Sequence, residues 1–249
     1  MALPRITIVG GHGKVALYLA KTAAQSAQFQ VESIVRSKDH FRDIESRGAK
    51  PVLLSLEEAS VDDLANVFTG AQAVVFAAGA GGKGGAERTK AVDELGAIKV
   101  FDAIERVKGD FLPKLYMVSA IDTRDLSKPP PAHYTQNDIQ ESEKSHKAIP
   151  AYFDAKLAAD RNLHQRKSFF WTILRPGHLS DDAGTGKVSL GKTHMGSVSR
   201  EDVATVLFEL IKTPGKAASG LALDLVQGET PVSEAVQQAV ARGESDFID

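Results

Sequence analysis

The chain has 249 residues, 43% hydrophobic and 25% charged, with a formal net charge of −2, the balance of an ordinary water-soluble globular chain. That charge gives no support for nucleic-acid or anionic-membrane partners. The absence of cysteine excludes disulfides, a thiol nucleophile and a cysteine-ligated metal. No apolar run is long enough to span a bilayer and no leader-like stretch precedes the first strand, so a cytoplasmic location is expected.

Residues 5–16 read RITIVGGHGKVA. Ile6, Ile8 and Val9 form the short β-branched run of a buried parallel strand, and an amphipathic helix follows with Val15, Leu17, Leu19 and Ala20 among its apolar positions. Between them Gly10, Gly13 and Ala16 fill the three small positions of a G-x-x-G-x-x-A turn. The first permits the tight turn, the second lets backbone approach a diphosphate, and the third lets helix pack on strand. The helix N-terminus then offers N–H groups and a positive dipole end to phosphates, so the turn predicts a dinucleotide site. His12 and Lys14 stand inside it as further phosphate candidates.

QVESIV at 30–35 is the second strand and ends in Arg36 and Ser37. An acidic residue here would suit the ribose hydroxyls of NAD; arginine suits the 2′-phosphate of NADP, and Lys38 and Arg42 add charge nearby. A short helix is expected at 41–47, a third strand at 50–54 and a helix at 62–68. The fourth strand, 71–77, is almost wholly apolar. It runs into AAGAGGKGGA at 77–86, where Ala77, Ala78 and Gly79 lie beside the expected crevice and residues 81–85 can approach a ligand or form a flexible loop.

Residues 87–107 have helical period throughout. KLYMV at 114–118 is the fifth strand and delivers Ser119 at its C-terminal end. The stretch 125–150, with Pro129, Pro130 and Pro131, reads as the least regular part of the chain and as a mobile cover. A helix is expected at 152–167, a sixth strand at 170–174 with Trp171 and Ile173 packing, and a break at Arg175, Pro176, Gly177 and His178. A short strand at 187–190 precedes Ser199, an N-cap for a helix reaching Lys212. A further strand at 221–226 and a last helix opened by Pro231 complete the chain. Strands alternate with helices, so the fold class is α/β with a doubly wound parallel sheet. Residues 1–249 are expected to form one domain, with about 178–249 on the substrate side.

Tyr152 and Lys156 are four apart on one helix and share a face, while Ser119 sits where the fifth strand opens onto the crevice. Carbonyl reduction needs an acid for the oxygen, and a nearby ammonium is expected to favour the phenolate and so strengthen the tyrosine as that acid. Lysine can also hold a ribose, and serine can polarise a carbonyl. The seven histidines show no paired ligand spacing, so no metal is expected. There is no G-x-S-x-G elbow and no G-K-[ST] ending to the glycine turn, which removes α/β-hydrolase and P-loop chemistry.

VGGHGKVA, VVFAAGAGG, YMVSAI, YFDAK, TILRPG, GTGKV and SREDVA occur in the order seen in atypical short-chain dehydrogenases. The chain resembles their NAD(P)-binding, NmrA-like or flavin-reductase-like branch over nearly its whole length. That resemblance implies a Rossmann-like fold and an oxidoreductase using NADP(H) on a small carbonyl, quinone or flavin-like substrate. A non-catalytic NADP(H) sensor and a sugar-nucleotide epimerase are the alternatives within the family. It implies a cofactor along Gly10, His12, Gly13, Lys14, Val15, Arg36, Ala77–Gly79, Ser119, Lys156 and Pro176–His178. One departure is Ser55-Leu56 after the third strand, where many relatives have Asp and then an apolar residue contacting adenine. A small-molecule substrate is the only expected partner; oligomeric state is left open.

Overall fold

The computed structural model describes residues 2–81 and 84–246. Gly82 and Lys83, within the glycine-rich run 81–85, lie outside them.

Short β-branched and apolar runs build the sheet from its middle outward. β1 (Arg5–Val9) pairs in parallel with β2 (Gln30–Val35) on one side and β4 (Ala73–Phe76) on the other. β3 (Lys50–Leu53) closes the β2 edge; β5 (Lys114–Val118), β6 (Trp171–Pro176) and later β10 (Leu221–Gln227) extend the β4 side, all parallel. The nine-stranded order is β11-β8-β10-β6-β5-β4-β1-β2-β3, with β8 (Lys187–Gly191) and β11 (Thr230–Pro231) antiparallel at the far edge. A second sheet pairs β7 (His178–Ser180) with β9 (Ser197–Ser199) beside the strand ends.

Alternation along β1 sends Ile6 and Ile8 to one face and Val9 to the other, and two cores result. On the first face α1 (Lys14–Gln25) packs against α8 (Arg200–Lys212), which also carries α9 (Val232–Arg242). On the second, α3 (Val61–Phe68), α5 (Ala97–Glu105) and α7 (Pro150–His164) bury Leu64, Phe68, Phe101, Ile104 and Leu163. Crossover helices on both faces of parallel strands make this the doubly wound Rossmann-like α/β architecture. Among the described residues no helix is long and apolar enough to cross a membrane.

Three local expectations need correction. The segment 125–150 is not irregular throughout: it contains α6 (Gln136–Ala148), started by a capping box in which Thr135 and Asp138 exchange bonds. Its sequence, QNDIQESEKSHKA, has no apolar stripe because the helix docks through buried Asp138, Ser142 and His146 instead. The helical stretch 87–107 is not one regular helix; after α4 (Gly85–Thr89) it passes through a π-helical turn, Lys90–Gly96, into α5. The sheet also departs from all-parallel at β8 and β11.

Candidate active site

The glycine turn works by close approach. Gly10 has φ +81°, and a Cβ there would come within 2.5 Å of Ala78 Cα, so the first turn and the loop after β4 touch through backbone. Gly11, which the motif leaves unassigned, is needed equally: a Cβ there would lie 2.5 Å from Ser33 Cβ on β2. Gly13 caps α1 without a side chain, and no acidic residue stands in the first turn. The helix N-terminus therefore faces the crevice with its positive end uncompensated, the arrangement suited to a diphosphate. Ala16 is fully buried beneath it.

Two connected hollows open over the C-terminal ends of the strands. The larger encloses about 1260 Å³ and is lined by Gly13, Lys14, Val15, Ala77–Gly79, Ser119, Tyr152, Lys156 and Pro176–His178. The smaller, beside β2, is lined by Gly10, His12, Gly13, Arg36, His40, Leu54, Leu56, Glu57, Ala77–Gly79, Arg88 and Val92. Leu54, Leu56, Ile34 and Val92 give the smaller hollow an apolar floor, so the departure at Ser55 leaves an apolar side chain in place. Of the residues expected at the site only Ser37 lies outside both linings: its hydroxyl caps the 3₁₀ turn Lys38–His40, accepting from Asp39 N and donating to Asp39 Oδ2.

His12 stacks on His40 with ring centroids 3.8 Å apart and pairs with Asp43 at 2.8 Å. Lys14 and Arg200 both reach Asp181, at 2.5 and 2.8 Å.

Lys156 is 3% exposed and its Nζ lies 3.1 Å from Asp93 Oδ1, with Val118 O at 3.2 Å. Asp93, on the π-helical turn, also accepts Ala80 N–H at 2.9 Å and so ties the loop after β4 to α7. π-turns of this kind often mark functional sites, and this one aims a carboxylate inward. Asp93 is the main site residue that sequence reasoning missed.

The ammonium lies 5.5 Å from the Tyr152 ring centroid. Burial pushes the Tyr152 phenol up and Lys156 pulls it down, while Asp93 and Asp160 add to the rise. The net direction is upward, with burial the largest cause, so the expected shift toward phenolate is corrected and the tyrosine rests protonated. Burial disfavours the Lys156 ammonium, but Tyr152, Asp93 and Asp160 outweigh it and its pKa is raised.

Ser119 is 2% exposed and its Oγ has no hydrogen-bond partner of good geometry among the described residues. The hydroxyl lies near enough to Asp160 to favour that carboxylate's ionised form. Asp160 itself holds Arg175 by Nε at 3.0 Å and Nη2 at 2.7 Å in a fully buried pair beneath the crevice.

Behind Ser119 the chain turns through Asp122, a non-glycine residue at φ +58°. Its carboxylate accepts from Arg124 Nε and Ser142 Oγ and contacts His146 Nε2, and His146 stacks on Phe153 at 3.8 Å. One buried carboxylate thus joins the Ser119 loop to α6 and α7. Burial pushes Asp122 up, but His146, Ser142 and Arg124 outweigh it and hold it below the usual range. Among the described residues no group of three or more His, Asp or Glu is arranged to hold a metal.

The NAD(P)H-binding family model matches residues 10–214. A UPF0659 protein of Schizosaccharomyces pombe, C216.03, is 43% identical over 244 residues, covering 96% of each chain. YhfK of Bacillus subtilis, named as an uncharacterised sugar epimerase, is 32% identical over 94% of this chain and 99% of its own. A solved structure from Bacillus halodurans, provisionally named an NAD-dependent epimerase/dehydratase, is 31% identical over 94% of this chain and 99% of that one, with a TM-score of 0.75. With the glycine turn, the doubly wound sheet and a match this long, the chain belongs to the NAD(P)H-binding family.

Proposed function

We propose that the protein is an NADPH-dependent oxidoreductase that reduces a small carbonyl, quinone or flavin-like compound. The observation that carries this reading is that Ser119, Tyr152 and Lys156 line one crevice with Gly13–Val15 and Ala77–Gly79.

The residues present fit a dinucleotide. The uncapped end of α1 suits the diphosphate, and two residues lining the smaller hollow carry buried atoms, Arg88 Nε and His40 Nδ1, without partners among the described residues. When bound, NADPH supplies the hydride. Arg36 meets the 2′-phosphate; such a charge-assisted contact is worth about 1.5–3 kcal/mol, or roughly ten- to a hundredfold in affinity. Lys156, fixed by Asp93, holds the nicotinamide ribose. Ser119 donates to the substrate oxygen, and Tyr152, protonated at rest, delivers its proton there. Ile149, Phe153, Leu179 and Met195 give the substrate side an apolar wall that limits water.

A sugar-nucleotide epimerase, the reading the name of the Bacillus subtilis relative favours, needs cations for a second diphosphate. Among the described residues lining the larger hollow, Lys14 and Arg200 share Asp181, and Lys156 faces Asp93. One carboxylate between Lys14 and Arg200 leaves a single positive charge there, which the dinucleotide's own diphosphate would take up; with none left for a second diphosphate, an uncharged substrate is favoured. The test is NADPH and NADH consumption by purified protein against aldehydes, quinones, flavins, tetrapyrroles and sugar nucleotides. Turnover of one uncharged class with NADPH preferred is expected. Tight NADPH binding with no acceptor would support a sensor instead, and epimerised sugar nucleotide without net cofactor consumption would support the epimerase.

A further inference from the structure

Glu57 stands in the turn after β3, in the smaller hollow. Its Oε1 lies 3.4 Å from Arg36 Nη1 and 3.5 Å from Arg88 Nη2, so one carboxylate oxygen draws guanidinium groups from β2's end and from α4 to a single point. Both contacts are long and the side chains are partly exposed, with 58% for Arg36, 40% for Glu57 and 29% for Arg88, so the carboxylate is held weakly. Unpaired polar atoms remain on two residues that line the same hollow: among the described residues, Arg88 Nε and His40 Nδ1 are buried with no hydrogen-bond partner. Unpaired buried polar atoms around a weakly held carboxylate fit an anion with more acceptor oxygens than a carboxylate has, such as a phosphate monoester.

We propose that Glu57 is an internal stand-in for the 2′-phosphate of an adenosine dinucleotide: its carboxylate fills the seat between Arg36 and Arg88 and must leave before that phosphate enters. Glu57 thereby sets how strongly the protein prefers NADP(H) over NAD(H). The identity of the anion rests on the dinucleotide reading above; the seat itself rests on Arg36, Glu57, Arg88 and His40. The loop does not depend on the Glu57 side chain, because Lys99 Nζ clamps three of its carbonyls, Leu56 O, Glu57 O and Ala59 O, at 2.8, 3.2 and 2.9 Å.

The test is calorimetric titration of the full chain with adenosine 2′,5′-bisphosphate and with 5′-AMP, which differ only in the 2′-phosphate and need no turnover. Glu57→Gln keeps shape and removes the competing charge; it should tighten the bisphosphate about five- to tenfold and change AMP less than about twofold. Arg88→Met should weaken the bisphosphate by a similar factor and spare AMP. If Glu57→Gln weakens the bisphosphate, leaves it unchanged or tightens both ligands equally, the stand-in role is wrong. Failure of the bisphosphate to bind either protein also overturns it. Loss of NADPH turnover with normal bisphosphate binding would count against the oxidoreductase reading alone.

Discussion

Replacing Asp93 with alanine tests the least visible part of the site. The side chains of Asp93 and Lys156 are 1% and 4% exposed, with 3.1 Å between Oδ1 and Nζ. Removing the carboxylate strands a buried ammonium, which costs about 3–5 kcal/mol, and frees the Ala80 N–H, whose loss is worth about 1–3 kcal/mol. Lys156 can shed its proton, which caps the sum, so about 3–5 kcal/mol is expected. That is a large part of a typical stability of about 5–15 kcal/mol and corresponds to a fall in Tm of roughly 6–20 °C for a chain of this size. Asp93→Asn keeps an acceptor for Ala80 and should recover part of the loss. The control is Asp62→Ala. The Arg106–Asp62 pair is equally short at 3.1 Å but 59% and 75% exposed, so its removal should cost no more than about 1 kcal/mol. Denaturant unfolding of the three variants reads these differences. Equal losses for Asp93→Ala and Asp62→Ala would refute the argument that burial gives the Asp93–Lys156 pair its weight.

Two other buried carboxyls, Asp138 and Asp224, give further readouts. Burial pushes Asp138 up, but bonds from Thr135, His194 and Met195 outweigh it and hold it well below the usual carboxylate range. The stability it lends α6 is therefore full above about pH 4 and lost as pH falls through its lowered value, and amide exchange across 136–148 should accelerate in acid before the central strands do. Thr135→Val removes the cap hydroxyl and should cost about 0.5–2 kcal/mol, read as faster exchange in the same helix at neutral pH. Burial and the neighbouring Asp246 push the Asp224 carboxyl well above the usual range. Its contribution is present at low pH and lost as pH rises through its raised value. As pH rises from about 4, where the unfolded carboxyl ionises, thermal stability should thus decline more steeply for wild type than for Asp224→Asn; parallel curves would show that folding does not change how Asp224 titrates.

What was legible in the sequence is what depends on neighbours in the chain. The β1–Gly10–α1 turn, β2, β5 and the Ser199 cap of α8 follow from alternation, positive φ and capping chemistry within a few residues. Ser119, Tyr152 and Lys156 could be placed on one side of the sheet because strand ends and helix faces have fixed directions. Asp93 could not, since an aspartate inside a helical run reads as solvent-facing until the π-turn swings it toward Lys156. The sign of the Tyr152 shift was hidden for the same reason: burial and Asp93 enter only in three dimensions. α6 escaped because its buried contacts are polar, and apolar periodicity is blind to a helix docked by Ser142 and His146. Glu57 and Arg88 meet across two loops, with no shared pattern to announce the contact.

The central claim is that Tyr152 supplies a proton to a substrate oxygen in a crevice shared with NADPH. Tyr152→Phe removes one hydroxyl and keeps the ring against Phe153. The most direct measurement is kcat at saturating NADPH, together with the NADPH Kd by calorimetry, for wild type and Tyr152→Phe on the best acceptor found. The account predicts kcat lower by about 10²–10⁴-fold with Kd almost unchanged. A variant that turns over at the wild-type rate would contradict it, making the tyrosine structural and leaving the substrate to take its proton from solvent.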